Sequence, residues 1–396
     1  MKICIICHEY PPNIISGCGT ALSTLSRGLI RKGHKVTIIT PLIRTELQKE
    51  TSYNLEIIRL PIFQSKFLSR FNLIDNRLGF SLALRKFRKK FDFSQFDILH
   101  VYDVHDSYFL DKPLIDKVKT IISVNDQYAY ITPWNIFRFP YKTPNLIKRY
   151  SHSMLTKVLN KNYLKKVAHI IALSNEQKRV LVENCKLKES SVKVIYRGME
   201  IKRFSISKNK YSSGKILFIG SNMERKGVDF LILSMLRILE KFPKTHLAII
   251  GKTNASLKRK FGKIIEENNL ENNISMFEYI PSAEIPNYFA DANVFIMPSI
   301  IENLAVTVLE AMSSQTPVIA TRVGGHEEAV DDSCGVLINP GSSEEIANAV
   351  IDIFSSPKKA KKMGENGLKT IKSKFAEQKM IEEVNSYYLR VLKETK

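Results

Sequence analysis

Twice along this chain, short runs of Val, Ile, Leu and Phe alternate with longer amphipathic stretches, and the period restarts near residue 214. Apolar runs of four to seven residues are strand length, and unbroken apolarity marks strands buried on both faces. In the first half strands are predicted at 2–7, 35–40, 55–59, 97–101, 120–124, 169–172 and 192–195, with a polar glycine loop at 11–19 and an amphipathic helix over 21–31. In the second half they are predicted at 215–220, 245–251, 274–279, 293–297, 317–320 and 335–338, with a helix over 227–242. Strands joined through helices run parallel, so each half is predicted to be a parallel sheet covered by helices on both faces. The Ser- and Lys-rich segment 203–214 reads as the linker. The expected domains are 1–205 and 206–375, and the last helix, about 376–396, is expected to cross back onto the first.

A chain of 396 residues, 44% hydrophobic and 25% charged, has the composition of a globular protein with two cores. No apolar run reaches membrane-span length, and the polar residues at His8 and Glu9 come too soon for a secretory signal, so a cytoplasmic protein is expected. Five scattered cysteines fit a reducing compartment. Cys4 and Cys7 suggest a redox or zinc pair, but positions three apart on a strand face opposite ways, which favours packing. The net charge is +21, and residues 1–200 hold 33 Lys and Arg against 16 Asp and Glu. The densest patch, Arg85-Lys86-Phe87-Arg88-Lys89-Lys90-Phe91, interleaves aromatics with cations. Such a surface attracts anionic membrane headgroups, whereas nucleic acid is not expected.

Chemistry concentrates in the second half. Gly220 follows a strand, and Arg225, Lys226 and Gly227 open the next helix. A glycine lets phosphate approach the backbone, helix-start amides accept it, and two cations balance a diphosphate. Glu302 and Glu310 are eight positions apart, so on one helix both carboxylates would share a face. They lie between the strands at 293–297 and 317–320, at the carboxyl edge where open α/β sheets bind ligands. In the first half His100, Asp103, His105 and Asp106 are placed after the strand at 97–101. A metal reading of His100, His105 and Asp106 competes there with ordinary hydrogen-bonded structure. Tyr128, Tyr130 and Trp134 cluster in a later loop and suit sugar stacking, a membrane interface or plain packing.

The series Gly220, Arg225-Lys226-Gly227, Pro298-Ser299, Glu302, Glu310-Ala311-Met312, Thr316-Pro317-Val318 and Val323-Gly324-Gly325 with Glu328 resembles the retaining glycosyltransferases of the GT-B fold, family 4 in particular. Tyr10-Pro11-Pro12, Gly33-His34 and Tyr196-Arg197-Gly198 are similar to segments of the same family's first domain. The resemblance implies two Rossmann-like α/β domains, a nucleoside diphosphate sugar such as a UDP- or GDP-sugar as donor, a glycan or lipid-linked acceptor, and no metal; no Asp-x-Asp motif is present. It implies that Glu310 holds the donor ribose and Glu302 the donor sugar. Arg225 and Lys226 then neutralise the leaving diphosphate, while Gly17, Gly220 and the backbone of Asn303, Leu304 and Ala305 approach phosphate or sugar. Asn125, Asp126 and His105 are the acceptor-side candidates. Asn125 stands where relatives often have histidine, and it cannot carry a proton at neutral pH. The implied activity is metal-independent, retaining hexosyl transfer in cell-surface polysaccharide or lipopolysaccharide synthesis, peripheral at the inner membrane face. A GT-B epimerase or phosphorylase, and a basic binding protein without catalysis, are the rivals.

Overall fold

In the computed structural model of the chain, residues 1–13, 17–42, 47–62, 76–125, 160–204, 211, 214–221 and 223–394 are described. They divide into two compact units, Met1–Gly198 with Glu377–Lys396, and Met199–Ala376. The first unit runs β1 (Lys2–Ile6), α1 (Gly17–Arg31), β2 (Lys35–Leu42), β3 (Gln48–Ser52), β4 (Leu55–Pro61), α2 (Asn76–Phe87), β5 (Ile98–Val101), α3 (Lys112–Lys117), β6 (Lys119–Val124), β7 (His169–Ala172), α4 (Asn175–Cys185) and β8 (Val192–Val194). Its sheet has the order β3-β4-β2-β1-β5-β6-β7-β8. Every pairing is parallel except β3 with β4. β3 is a strand the sequence pattern does not predict. Gln48-Lys49-Glu50-Thr51-Ser52 has no apolar face because it is an edge strand, mostly exposed and turned back through Asn54 at φ 54°.

One further correction concerns α1, which starts at Gly17 and not at residue 21. Cys18, Leu22, Leu25 and Leu29 follow the helical period and are all buried, so the apolar stripe begins in what reads as loop. The chain's alternation separates the two cysteines near β1. Cys4 packs with Phe80, Leu84 and Leu99 on one face of the sheet, and Cys7 with Leu22 and Leu25 on the other. In the basic patch Phe87 and Phe91 stack at 4.7 Å and pack against the core, while Arg85, Lys86, Lys89 and Lys90 stay exposed.

The second unit runs β9 (Lys215–Ile219), α5 (Val228–Lys241), β10 (His246–Ile250), α6 (Ala255–Glu267), β11 (Ile274–Phe277), α7 (Ile285–Asp291), β12 (Val294–Met297), α8 (Val306–Ser313), β13 (Val318–Thr321), α9 (His326–Ala329), β14 (Gly335–Ile338), α10 (Ser343–Ser355) and α11 (Pro357–Lys374). Its wholly parallel sheet has the order β11-β10-β9-β12-β13-β14. Strand order reverses between β9 and β12, so the loops after these two strands diverge and leave a crevice at their carboxyl ends. The final helix, α12 (Glu377–Lys393), returns to the first unit and buries Met380, Ile381, Val384, Tyr387, Tyr388 and Val391 against α1 and the sheet.

Candidate functional site

The crevice between β9 and β12 is closed tightly enough to fix its side chains. Gly227 ends the β9–α5 turn at φ +65°, and a Cβ there would fall 2.3 Å from the Pro298 carbonyl oxygen beyond β12. Only glycine permits both the backbone angle and the approach. This turn carries Lys226 inward, where it is buried and where Nζ donates to Glu302 Oε2 at 2.7 Å. Arg225 lies alongside: Nη1 donates to the Ile301 carbonyl at 3.1 Å, and Nη2 stands 3.8 Å from the same Glu302 oxygen. The other Glu302 oxygen accepts from the Asn303 amide at 3.1 Å. Burial alone would raise the Glu302 carboxyl, but Lys226 and Arg225 hold it well below the usual carboxylate range. The cluster therefore combines two fixed cations with one fixed anion.

Gly324 secures the other side of Glu302. At φ +56°, its added Cβ would meet the Glu302 carbonyl oxygen at 2.2 Å, and the Gly325 amide donates to the Asn303 carbonyl. Next along the chain, His326 is fully buried. Its Nδ1 faces the Thr321 carbonyl at 3.1 Å and so carries the hydrogen, which leaves Nε2 as an acceptor with no partner among the described residues. Burial pushes its pKa down to about 4, against the pull of Glu302 upward. His326 escapes sequence reasoning, where the only signal is a histidine beside the Val323-Gly324-Gly325 motif.

The expectation that Glu302 and Glu310 share one helical face is corrected. α8 starts at Val306 with Ala305 as its N-cap, so Glu302 belongs to the preceding loop and only Glu310 is helical. Asn303, Leu304 and Ala305 are buried and bend the chain from β12 into α8 before any helix can form. Glu310 is half-buried, makes no hydrogen bond to a described residue, and is pushed up to about 7 by burial while Arg203 pulls it down. Gly220 closes β9 beneath Lys226, so close that an added Cβ would lie 2.7 Å from Lys226 Cδ.

In the first unit Gly17 occupies the first turn of α1. His100 lies on β5 and not after it, and it is a satisfied core histidine: Nδ1 meets the Tyr388 hydroxyl at 2.6 Å and Nε2 the Ser123 hydroxyl at 2.7 Å. This removes it from any metal set with His105 and Asp106. His105 Nδ1 pairs with Asp103 at 2.8 Å, and Asp106 accepts from the His8 amide and Nδ1 at 2.9 and 3.0 Å. Cys7, His8 and Asp106 offer donor atoms within 4.8 Å of one another, a grouping hidden from the sequence by the 98 positions between His8 and Asp106. Asn125 donates to the Tyr102 carbonyl and accepts from Arg197 Nη2 at 3.0 Å. Asp126, Tyr128, Tyr130 and Trp134 lie outside the described residues.

Two Rossmann-like units, one carrying a paired basic and acidic cluster at its topological switch point, define the GT-B class of glycosyltransferase. Residues 15–203 match the family model "Glycosyltransferase Family 4" and residues 200–370 match "Glycosyl transferases group 1". The chain belongs to this family and is a glycosyltransferase. It is 23% identical to the alpha-monoglucosyldiacylglycerol synthase of Acholeplasma laidlawii, over 90% of this chain and 89% of that one. Among solved structures it resembles sucrose-phosphate synthase from Thermosynechococcus elongatus, with TM-score 0.82, 20% identity and 98% of both chains covered. It also resembles Anabaena HepE in complex with UDP, with TM-score 0.70, 15% identity, and coverage of 98% of this chain and 100% of that one.

Proposed function

We propose that the chain transfers a hexose from a nucleoside diphosphate sugar to a glycan or lipid-linked hydroxyl, with retention at the anomeric carbon and without a metal. The observation that carries this reading is Lys226, buried on Glu302 with Arg225 alongside. A departing diphosphate gains negative charge as the glycosidic bond breaks. Fixed cations stabilise that charge more in the transition state than in the ground state. Glu302, kept ionised by the same cations, orients them and accepts hydrogen bonds from the donor sugar. It is not assigned as a nucleophile, because same-face attack on an oxocarbenium-like centre accounts for retention. Glu310 receives the ribose hydroxyls, and the backbone of Asn303, Leu304 and Ala305, with Gly220, lines phosphate and sugar.

The acceptor belongs in this reading to the first unit, through Asn125, Asp126 and His105. The exposed cations at the end of α2 favour contact with an anionic membrane surface, at the cytoplasmic face. The Acholeplasma relative, a glycolipid synthase by name, agrees with a lipid-linked acceptor, and the UDP held by HepE agrees with a uridine donor. No helix among the described residues is long and apolar enough to cross a membrane.

Thermal shift with UDP and GDP in the presence of EDTA tests donor binding, because a ligand at a hundred times its dissociation constant stabilises by about 2.7 kcal/mol. Lys226→Ala and Glu310→Ala each reduce turnover at least about a hundredfold, by analogy with losing one transition-state donor. Normal turnover in both variants, or a product with inverted anomeric configuration by NMR, overturns the reading.

A further inference from the structure

We propose that Arg197 anchors an oxyanion subsite at the carboxyl edge of the first unit's sheet, taking a phosphate or carboxylate group carried by the acceptor. The inference rests on the glycosyl-transfer reading above and narrows its acceptor to an anionic one.

Asn125 is committed to protein at both ends of its amide. Nδ2 donates to the carbonyl of Tyr102, just past β5, and Oδ1 accepts from Arg197 Nη2 at 3.0 Å. An asparagine used in this way is a bracket: it fixes the plane of the guanidinium without neutralising it. Arg197 itself is half-buried beyond β8, and its Nε is buried without a partner among the described residues. No described carboxylate pairs with it. With Asn125, Tyr102, Leu173 and Tyr196 it lines a small cleft, and it is the only charged residue among the described ones there. His100, at the base of the cleft, brings no charge, since both ring nitrogens are spent on Tyr388 and Ser123 and burial pushes its pKa down to about 3.

A partly desolvated cation without a counter-charge costs stability unless something anionic completes it. The guanidinium offers a planar fork of donors, which fits two oxygens of a phosphate or carboxylate. Its position past the ends of β5, β6 and β8 is where a parallel sheet receives ligands. Asparagine in place of an ionisable residue thus has a use in this chain. It orients the arginine and leaves the arginine's charge for the ligand.

The test is a titration of the full chain with inorganic phosphate at constant ionic strength, in saturating UDP, read by calorimetry and by melting temperature, with acetate in parallel to separate phosphate from carboxylate recognition. Saturable phosphate binding is expected with UDP bound. Arg197→Gln weakens it by about ten- to a hundredfold, as for the loss of charged hydrogen bonds. Asn125→Asp, which sets a carboxylate against the guanidinium, weakens it equally while UDP binding persists. Three results overturn the proposal: no phosphate binding in the wild-type chain, variants that bind as the wild type does, or loss of phosphate binding when UDP is added, which would place the phosphate in the donor site. If UDP does not bind at all, the donor reading fails, and the same titration without UDP judges Arg197.

Discussion

Lys226 is bound to Glu302 in the structure and, in the proposed function, meets a departing phosphate during transfer; its burial strengthens both interactions. Removing one member of a buried ion pair leaves the other uncompensated and typically costs about 3–5 kcal/mol. Lys226→Met should therefore destabilise the second unit, and adding Glu302→Gln should restore much of the loss. Additive losses in denaturant melts would show that the 2.7 Å contact carries no coupling. Glu310 makes an opposite prediction with pH. Its carboxyl is raised from 4.5 to about 7, so the folded chain holds the proton more tightly than the unfolded one. The associated stability is present below pH 4.5 and declines as pH rises to about 7. Glu310→Gln removes that decline, so the variant's melting temperature should exceed the wild type's at pH 8 and match it at pH 4. If Glu310 holds the ribose as proposed, hydroxyls donating to the ionised carboxylate should make nucleotide affinity rise over the same window.

At the level of elements, the turn into α5 is the strictest piece of the site. Gly227 combines a left-handed backbone with a close approach to Pro298. Gly227→Ala adds about 1–2 kcal/mol of backbone strain and a steric clash. A lower melting temperature and weakened nucleotide binding should appear together in this variant; an unchanged melt would mean the turn relaxes freely. The strands were legible because parallel strands buried on both faces must be unbroken apolar runs, as in Val294-Phe295-Ile296-Met297. β3 was not, because an edge strand needs no apolar face, and the start of α1 was hidden by glycines that helix propensity disfavours. Glu302 was found from its spacing to Glu310, yet the loop that removes it from the helix depends on burial of Leu304 and Ala305, which spacing does not encode.

Across the whole molecule, the chain makes its first unit from its two ends. α12 contributes six buried side chains to the core of the first unit and the Tyr388 hydroxyl to His100. At about 1.5–3 kcal/mol for each large apolar side chain, their loss is comparable to the whole stability of a typical domain. Ending the chain at Ala376 should thus leave the first unit without a cooperative melt and binding the dye ANS, while the nucleotide binding proposed for the second unit persists. A native-like melt of both would show that α12 is dispensable. The sequence by itself determined the class of fold and singled out the neighbourhood of the candidate site, because strand and helix periods and the glycine, arginine, lysine and glutamate positions are local properties of the chain. Tertiary structure alone decided which of those groups touch: Lys226 with Glu302 across 76 positions, Asn125 with Arg197 across 72, His100 with Tyr388 across 288. Such contacts depend on how β9 meets β12, how β6 and β8 flank β7 and how α12 packs on α1, and no local pattern of residues specifies that.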